Sequence, residues 1–113
     1  MRESELTGDQ LARILGTLAN PHRLRVIAVL ETGRRYVSEL ARELGISRPL
    51  LQVHLRKLEA AGLVSAHLEV SEDGKAMKFY AVTPFTLRLT PRTIAAVAPT
   101  LTQDGDSQGG NRE

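Results

Sequence analysis

The sequence predicts a mainly α-helical fold with a small β-hairpin, on three observations. Two short amphipathic helical stretches are separated by a turn at Gly45, and the second restarts behind Ser47. Two segments of strand-like composition, residues 64–70 and 75–82, follow these stretches directly. The turn signal Asp73-Gly74 lies between those two segments. Helix, turn, helix and hairpin in this order predict a winged helix-turn-helix.

Length and composition predict one domain with a single modest core. The chain has 113 residues and no apolar stretch near the roughly 20 residues of a membrane span. Its first residues lack the apolar segment of a signal peptide, and without cysteine it cannot form disulfides or thiolate metal sites, so we expect a cytoplasmic location. We expect residues 1–102 to form the winged domain, with dimerisation elements at both ends. Residues 103–113 are expected to form a disordered acidic tail.

Charge is distributed unevenly along the chain. The formal net charge is +2, but residues 103–113 hold three acidic residues against one arginine. Residues 1–102 therefore carry about +4. A positively charged domain of this kind suits a polyanionic partner.

The first two helices are predicted from caps and apolar spacing. Thr7 and Gln10 have capping-box spacing ahead of a helix over residues 8–19. Asn20-Pro21 provides an N-cap and a first-turn proline for a second helix, which Gly33 ends. The apolar positions, which we expect to face the core, are Leu11, Ile14, Leu15 and Leu18 in the first helix and Leu24, Val26, Ile27 and Leu30 in the second.

The third and fourth helices form the predicted helix-turn-helix pair. Ser38 is the expected cap of the third, and Ser47 caps the fourth, where Pro49 is tolerated in the first turn. Gly62 ends the fourth helix. The apolar faces comprise Leu40, Ala41 and Leu44 in the third helix and Leu51, Leu55 and Leu58 in the fourth.

The part of the chain after Gly62 is predicted to contain strands and one further short helix. Val64, Ala66, Leu68 and Val70 alternate with polar residues, which predicts a half-buried strand of the hairpin. Further on, the alternation of Phe85, Leu87 and Leu89 predicts a short third strand. Thr90-Pro91 then starts a short helix with Ile94, Val97 and Leu101 on one side, and Pro99 should kink or end it.

The outward face of the fourth helix has the chemistry of DNA recognition. Gln52 lies on this face and can pair with adenine, and apolar side chains can meet thymine methyl groups. Arg48 lies nearer the core edge by angle, but it is in the first turn, which enters a groove deepest, and can bridge guanine O6 and N7. Arg56 and Lys57 lie further along and suit phosphates. His54 borders the core stripe, where it either packs locally or reaches a phosphate. The predicted DNA-binding residues are Ser38, Ser47, Arg48, Pro49, Leu50, Gln52, Val53, His54, Arg56, Lys57, Lys75 and Lys78.

Catalysis and cofactor binding are not expected. The three histidines are scattered, with no carboxylate at ligand spacing, so we predict no metal site. The sequence has no phosphate-cradling glycine loop and no clustered acid-base pair. We therefore expect no enzyme activity and no cofactor.

Two segments resemble the ArsR family of bacterial and archaeal repressors. They read Leu18-Ala-Asn-Pro-His-Arg-Leu-Arg-Val-Ile-Ala-Val-Leu30 and Val37-Ser-Glu-Leu-Ala-Arg-Glu-Leu-Gly-Ile-Ser-Arg-Pro-Leu-Leu-Gln-Val-His-Leu-Arg-Lys-Leu-Glu-Ala-Ala-Gly-Leu-Val64. The similarity spans about residues 11–83. It implies a homodimer that occupies a two-fold operator and leaves when an inducer binds. It also implies DNA-facing positions at Ser47, Arg48, Leu50, Gln52 and His54, with Gly74 and Lys75 in the wing.

Departures from the family pattern refine these expectations. Residues 37–44 lack the cysteine pair of many metal-sensing members, and no histidine follows His67, so metal sensing of either type is not expected. Leu50 stands where a small hydroxyl residue is common and Val53 where a basic one is frequent, so the operator should differ from those of relatives. Because Pro99 shortens the last helix, either the first helix and residues 85–101 supply the dimer interface or dimerisation is weak. The expected interface residues are Leu11, Leu15, Phe85, Leu87, Ile94 and Val97.

Two functions follow from this pattern. The first is a homodimeric, sequence-specific regulator of double-stranded DNA, most simply a repressor, with an effector that the residues do not identify. The second is a winged helix adapted to protein contacts, such as an antirepressor or assembly module. The acidic wing tip, Glu72 and Asp73, and the low net charge are compatible with this alternative.

Overall fold

The computed structural model describes residues 6–102, which form two compact units, residues 14–84 and residues 6–13 with 85–102. The predicted acidic tail, residues 103–113, lies outside the described residues. The helices are α1 (Gly8–Leu18), α2 (Pro21–Glu31), α3 (Val37–Leu44), α4 (Arg48–Ala60) and α5 (Pro91–Val97), and the strands are β1 (Arg35–Tyr36), β2 (Val64–Val70) and β3 (Ala76–Val82).

Residues 14–84 form the winged helix-turn-helix that the sequence predicts. The pair α3–α4 is followed by the hairpin β2–β3, whose register runs from Val64 opposite Val82 to Val70 opposite Ala76. β1 adds a third antiparallel strand on the free side of β3, in the order β1-β3-β2. The two residues of β1 are too few to show an alternating pattern, so the sequence did not reveal this strand.

The core of this unit is built from leucines of α4 and one face each of α2 and α3. Leu51, Leu55 and Leu58 are fully buried, which confirms the predicted inward face of α4. Burying one such side chain stabilises the fold by roughly 1.5–3 kcal/mol. The prediction that Leu24 lies in the core is wrong, because its side chain is 54% exposed. It is two residues, or about 200°, away from buried Val26 around the helix.

Helix caps fix the points at which the helices begin. At α1 the Thr7 N–H donates to Gln10 Oε1 at 2.8 Å and the Gln10 N–H donates to Thr7 Oγ1 at 3.1 Å, which confirms the capping box. Asn20 Oδ1 accepts from the Arg23 N–H at 3.2 Å, as expected for the cap of α2. The Ser47 hydroxyl oxygen accepts from the Leu50 N–H at 3.2 Å, which confirms it as the cap of α4.

The predicted cap of α3 is wrong. The helix begins at Val37, and its N-cap is Tyr36 rather than Ser38. The Tyr36 N–H donates to Glu39 Oε1 at 2.9 Å, so the carboxylate three residues later fulfils the capping role. Val37 is buried, which holds the start of the helix against the core. At the other end Gly45 adopts φ +69°, a left-handed conformation that lets the chain turn into α4.

The wing extends beyond the core. The alternation in β2 predicts that Leu68 and Val70 are covered, but they are 67% and 72% exposed, so this prediction is wrong. Alternation shows which face a side chain occupies, whereas its burial depends on how far the helices extend along that face. β3 begins at Ala76, one residue later than predicted, because Lys75 belongs to the turn and its N–H donates to Ser71 Oγ at 3.1 Å.

In the second unit, the predicted strand over residues 85–89 is wrong, because this stretch has no regular secondary structure. The prediction that Pro99 ends the last helix is confirmed, since α5 stops at Val97 and a short 3-10 turn, Ala98–Thr100, follows. Gly8 lies so close to this turn that a Cβ atom would be 2.7 Å from the Val97 oxygen. Its N–H donates to Thr100 Oγ1 at 2.6 Å, which ties the two ends of the unit together.

Candidate nucleic-acid interface

α4 presents an exposed polar and apolar surface opposite its buried leucines. Arg48, Pro49, Val53, Arg56 and Lys57 are exposed, and Gln52 is half-buried. Leu50 is exposed as well, despite being apolar. Ser47 caps α4 and Pro49 lies in its first turn behind the Gly45 turn, and residues 47–50 are all exposed.

A groove of about 440 Å³ separates the first half of α4 from the wing. It brings together five of the residues that the sequence assigns to DNA binding. These are Ser38, Arg48, Gln52, Lys75 and Lys78. The sequence placed them on three separate elements, and only the tertiary fold shows that they surround one space. Three cations, a hydroxyl and an amide around one groove can contact phosphates and base edges together.

Other residues complete this groove without having been singled out by sequence. Tyr36, Val37, Ala76 and Met77 also line it. Tyr36 is brought there by β1, where it pairs with Phe79 across the sheet. Because a two-residue strand leaves no recognisable pattern, the sequence carried no signal for the contribution of Tyr36.

The cations of the groove are not neutralised by neighbouring carboxylates. Within residues 6–102, no ion pair involves Arg48, Lys75 or Lys78. Lys78 Nζ lies 5.6 Å from the centre of the Tyr80 ring, a cation–π distance that leaves its charge intact. The groove therefore keeps a positive potential that would attract phosphates.

Two acidic side chains of the wing, Glu69 and Asp73, differ in their hydrogen-bond partners. Arg34 forms a two-point ion pair with Glu69 of β2, and its guanidinium carbon lies 3.9 Å from the centre of the Phe79 ring. This hydrogen bond holds the pKa of the Glu69 carboxyl below its usual range. At the tip, the Ser71 hydroxyl and the Lys75 N–H likewise lower the pKa of Asp73. Glu69 is thus charged but paired, whereas Asp73 places a negative charge at the wing tip.

His54 does not join the groove. Its side chain is only 5% exposed, and Nδ1 accepts a hydrogen bond from Arg23 Nε at 3.1 Å. Of the two orientations that the sequence left open for His54, the structure has local packing, so the side chain does not line the groove. The residue lies between Leu51, Leu55 and Leu58 in the core stripe, and its position at the border of that stripe left both orientations open.

The residues expected at a dimer interface are divided between the two units. In the unit of residues 6–13 and 85–102, a hollow of about 610 Å³ is lined partly by Leu11, Leu87 and Val97. Ile94 is 47% exposed in the same unit, and no residue of α5 is buried. Phe85 is half-buried there, and Leu15 is half-buried in the other unit. Leu89 and Leu101, which lie in the segment of residues 85–101 expected at the interface, are exposed and add to the apolar surface.

Metal-binding and membrane-spanning features are not found in the described part of the chain. Among residues 6–102, no three histidine or acidic side chains are grouped as metal ligands. No helix in that range is long and apolar enough to cross a bilayer.

The chain matches a family model and several known proteins. The model of bacterial regulatory proteins of the arsR family matches residues 20–66. An uncharacterized HTH-type transcriptional regulator of Methanocaldococcus jannaschii is 41% identical over 68 residues, which are 60% of this chain and 70% of that protein. A probable mercury resistance operon repressor of Streptomyces lividans is 37% identical over 71 residues, 63% of this chain and 54% of that protein.

The fold also matches a solved structure. The homodimeric winged helix-turn-helix DNA-binding domain of Mb0332 from Mycobacterium bovis, determined in solution, superimposes with a TM-score of 0.60 at 26% identity. The match covers 80% of this chain and 74% of that one. It includes more of this chain than the sequence matches do.

Proposed function

Because this chain belongs to the ArsR family of bacterial regulatory proteins, we propose that it is a homodimeric repressor that binds specific double-stranded DNA. The observation that carries this proposal is the groove between α4 and the wing. Arg48, Gln52 and Lys75 meet there from different elements, and no carboxylate of the described chain pairs with the cations. This is the arrangement expected of a surface that reads bases and holds phosphates at once.

Each part of this surface has a distinct role in the proposed complex. α4 enters the major groove, where Arg48 bridges guanine O6 and N7 and Gln52 pairs with adenine. Exposed Leu50 and Val53 supply apolar contacts for thymine methyl groups. Further from the bases, phosphate contacts come from Ser38, Ser47, Arg56, Lys57, Lys75 and Lys78.

Homodimerisation is supported by the exposed apolar surface of the second unit. A second copy would cover Ile94 and the hollow beside Leu11, Leu87 and Val97, which otherwise remain in water. Phe85 and Leu15 complete the proposed interface. Two copies of α4 about 34 Å apart would then read successive major grooves of an inverted repeat.

The same proposal covers location and regulation. A protein of this kind acts where the chromosome is, so we assign it to the cytoplasm and assign it no catalytic role. The relative from Streptomyces lividans is a probable mercury resistance operon repressor. This sequence has no cysteine, so an effector of this chain would not be held by thiolates.

Binding to labelled duplexes at increasing salt tests this function. The affinity should fall steeply as salt rises, because phosphate contacts release counterions. Arg56→Ala should weaken binding to all sequences alike and reduce the slope of the salt dependence by about one. Sedimentation of the complex should show two protomers for each duplex. Binding that is independent of salt, or a single protomer on each duplex, would contradict the proposal.

A further inference from the structure

His54 is a polar side chain held in the apolar interior of the DNA-reading unit. It lies on the inward side of α4 between leucines that are fully buried, and it is itself 5% exposed. Among the residues that the structure describes, only Tyr80, which is 2% exposed, is another buried side chain with a polar group. A group that is costly to bury is therefore retained on the very helix that presents Arg48 and Gln52.

One arginine connects this histidine to two other helices. Arg23, in the first turn of α2, donates through Nε to His54 Nδ1 at 3.1 Å. Through Nη1 the same guanidinium donates to the carbonyl oxygen of Thr17 near the end of α1, at 3.2 Å. The backbone of Arg23 is itself held by Asn20. The planar guanidinium thus joins α1, α2 and α4 at one point.

The direction of this hydrogen bond sets the protonation of His54. Arginine is always charged and can only donate, so Nδ1 must carry no proton. The ring is then neutral, and its proton is on Nε2, which is buried and contacts no hydrogen-bond partner among the described residues. Burial lowers the pKa of His54, and the nearby charges of Arg23, His22 and Lys57 lower it further. The His22 ring centre is 5.3 Å away.

We propose that Arg23 is a positioning residue that sets the placement of α4 through neutral His54. Neither side chain lines the groove that faces DNA. Loss of their contact would nevertheless lower DNA affinity, because the helix that carries Arg48 and Gln52 would no longer be held at the angle the groove requires. This inference rests on the proposed function, since it takes α4 to be the helix that reads DNA.

The contact should also make the domain sensitive to mild acid. A proton on Nδ1 would oppose the Nε–H of Arg23 and break the hydrogen bond. In the unfolded chain the histidine titrates near pH 6.5, whereas in the folded chain its pKa is lower. The free energy of unfolding therefore falls as the pH drops through about 6.5 towards the lowered pKa, and the stabilisation is complete above about 6.5.

Three variants test the positioning role. His54→Leu fills the space but removes the acceptor, so it should bind the duplex most enriched from random DNA about tenfold less tightly at pH 7.5. His54→Asn keeps an acceptor near the position of Nδ1 and should recover most of that loss. It should also lose the weakening of DNA binding that we expect of the unmodified protein between pH 7.5 and 5.5. If His54→Leu does not fold, Arg23→Met tests the same contact, and it should lose DNA affinity by the same factor.

The control is His67→Asn, since His67 lies exposed on β2 and should leave affinity and its pH profile as in the unmodified protein. Nitrogen chemical shifts of the His54 ring, measured without DNA, should show a neutral ring protonated at Nε2 at pH 7. A ring protonated at Nδ1 would overturn the inference. If His54→Leu and Arg23→Met bind DNA as tightly as the unmodified protein, the positioning role is overturned and the proposed function stands. If the unmodified protein itself binds no DNA, both the positioning role and the proposed function are overturned.

Discussion

Arg48 and Gln52 lie one helical turn apart on α4 and line the same groove. If they contact bases, each should control the preference at a defined base pair. We expect Arg48→Ala to relax a guanine preference and Gln52→Ala to relax an adenine preference, each by roughly 1–3 kcal/mol of discrimination. Competition binding against duplexes with single base-pair changes measures this directly.

Arg92→Ala is the matched control for the loss of a positive charge. Arg92 is exposed on α5 and does not line the groove, so its replacement should leave base preferences intact. Unaltered discrimination in both Arg48→Ala and Gln52→Ala would show that these side chains read no bases.

At the level of single residues, periodicity predicted most of the core but not every position. Leu51, Leu55 and Leu58 follow the spacing of one helical face, and all are buried. Leu24 belongs to a helix with apolar residues on several sides, so spacing alone could not identify the inward ones. His54 was ambiguous for a related reason, because its burial depends on a contact with Arg23 from a distant part of the chain.

Among the elements, the wing holds an ion pair that lies outside the groove. Arg34 neutralises Glu69 and covers Phe79 on the opposite strand. Arg34→Ala should weaken DNA binding about two- to fivefold, because a charged carboxylate would then face phosphates unpaired. Arg34→Ala combined with Glu69→Ala should restore the affinity. Titration of both variants at low salt checks this, and an equally weak double variant would count against it.

α5 offers a second test at the scale of elements. Its exposed Ile94 is expected to lie under the second protomer. Ile94→Asp should convert the protein to a monomer in sedimentation and lower its affinity for a two-site duplex by about 100-fold, because each copy would bind one half-site alone. Leu68→Asp changes a leucine on the wing that is even more exposed, at 67%, and should leave the oligomeric state as it is. Dimers of Ile94→Asp would contradict this interface.

Elements were predicted well where a local signal exists. The capping box of α1, the Gly45 turn and the Pro99 stop all depend on neighbouring residues, and the structure has them where the sequence indicates. β1 and the extent of the wing depend on pairing and coverage between distant segments. The wrongly predicted strand at residues 85–89 has the same cause, because this segment alternates like a strand but pairs with no other strand in the described chain.

For the whole molecule, the sequence could predict the class of partner but not the shape of the site. A net charge of +2 is too small to indicate DNA binding by itself. The fold concentrates Arg48, Lys75 and Lys78 around one groove, and Glu69 is paired with Arg34 on the wing. The residues of the candidate site were therefore largely predictable, whereas their convergence required the tertiary structure.

Sequence-specific DNA binding is tested most directly by selecting bound sequences from random duplex DNA with the purified protein and sequencing them. We expect enrichment of an inverted repeat whose half-sites lie one helical turn apart, about 10 base pairs between centres. Such a result would also supply the duplex for the variants of Arg48, Gln52 and His54. Absence of any enriched sequence at low salt would contradict the central claim and indicate a winged helix that binds protein instead.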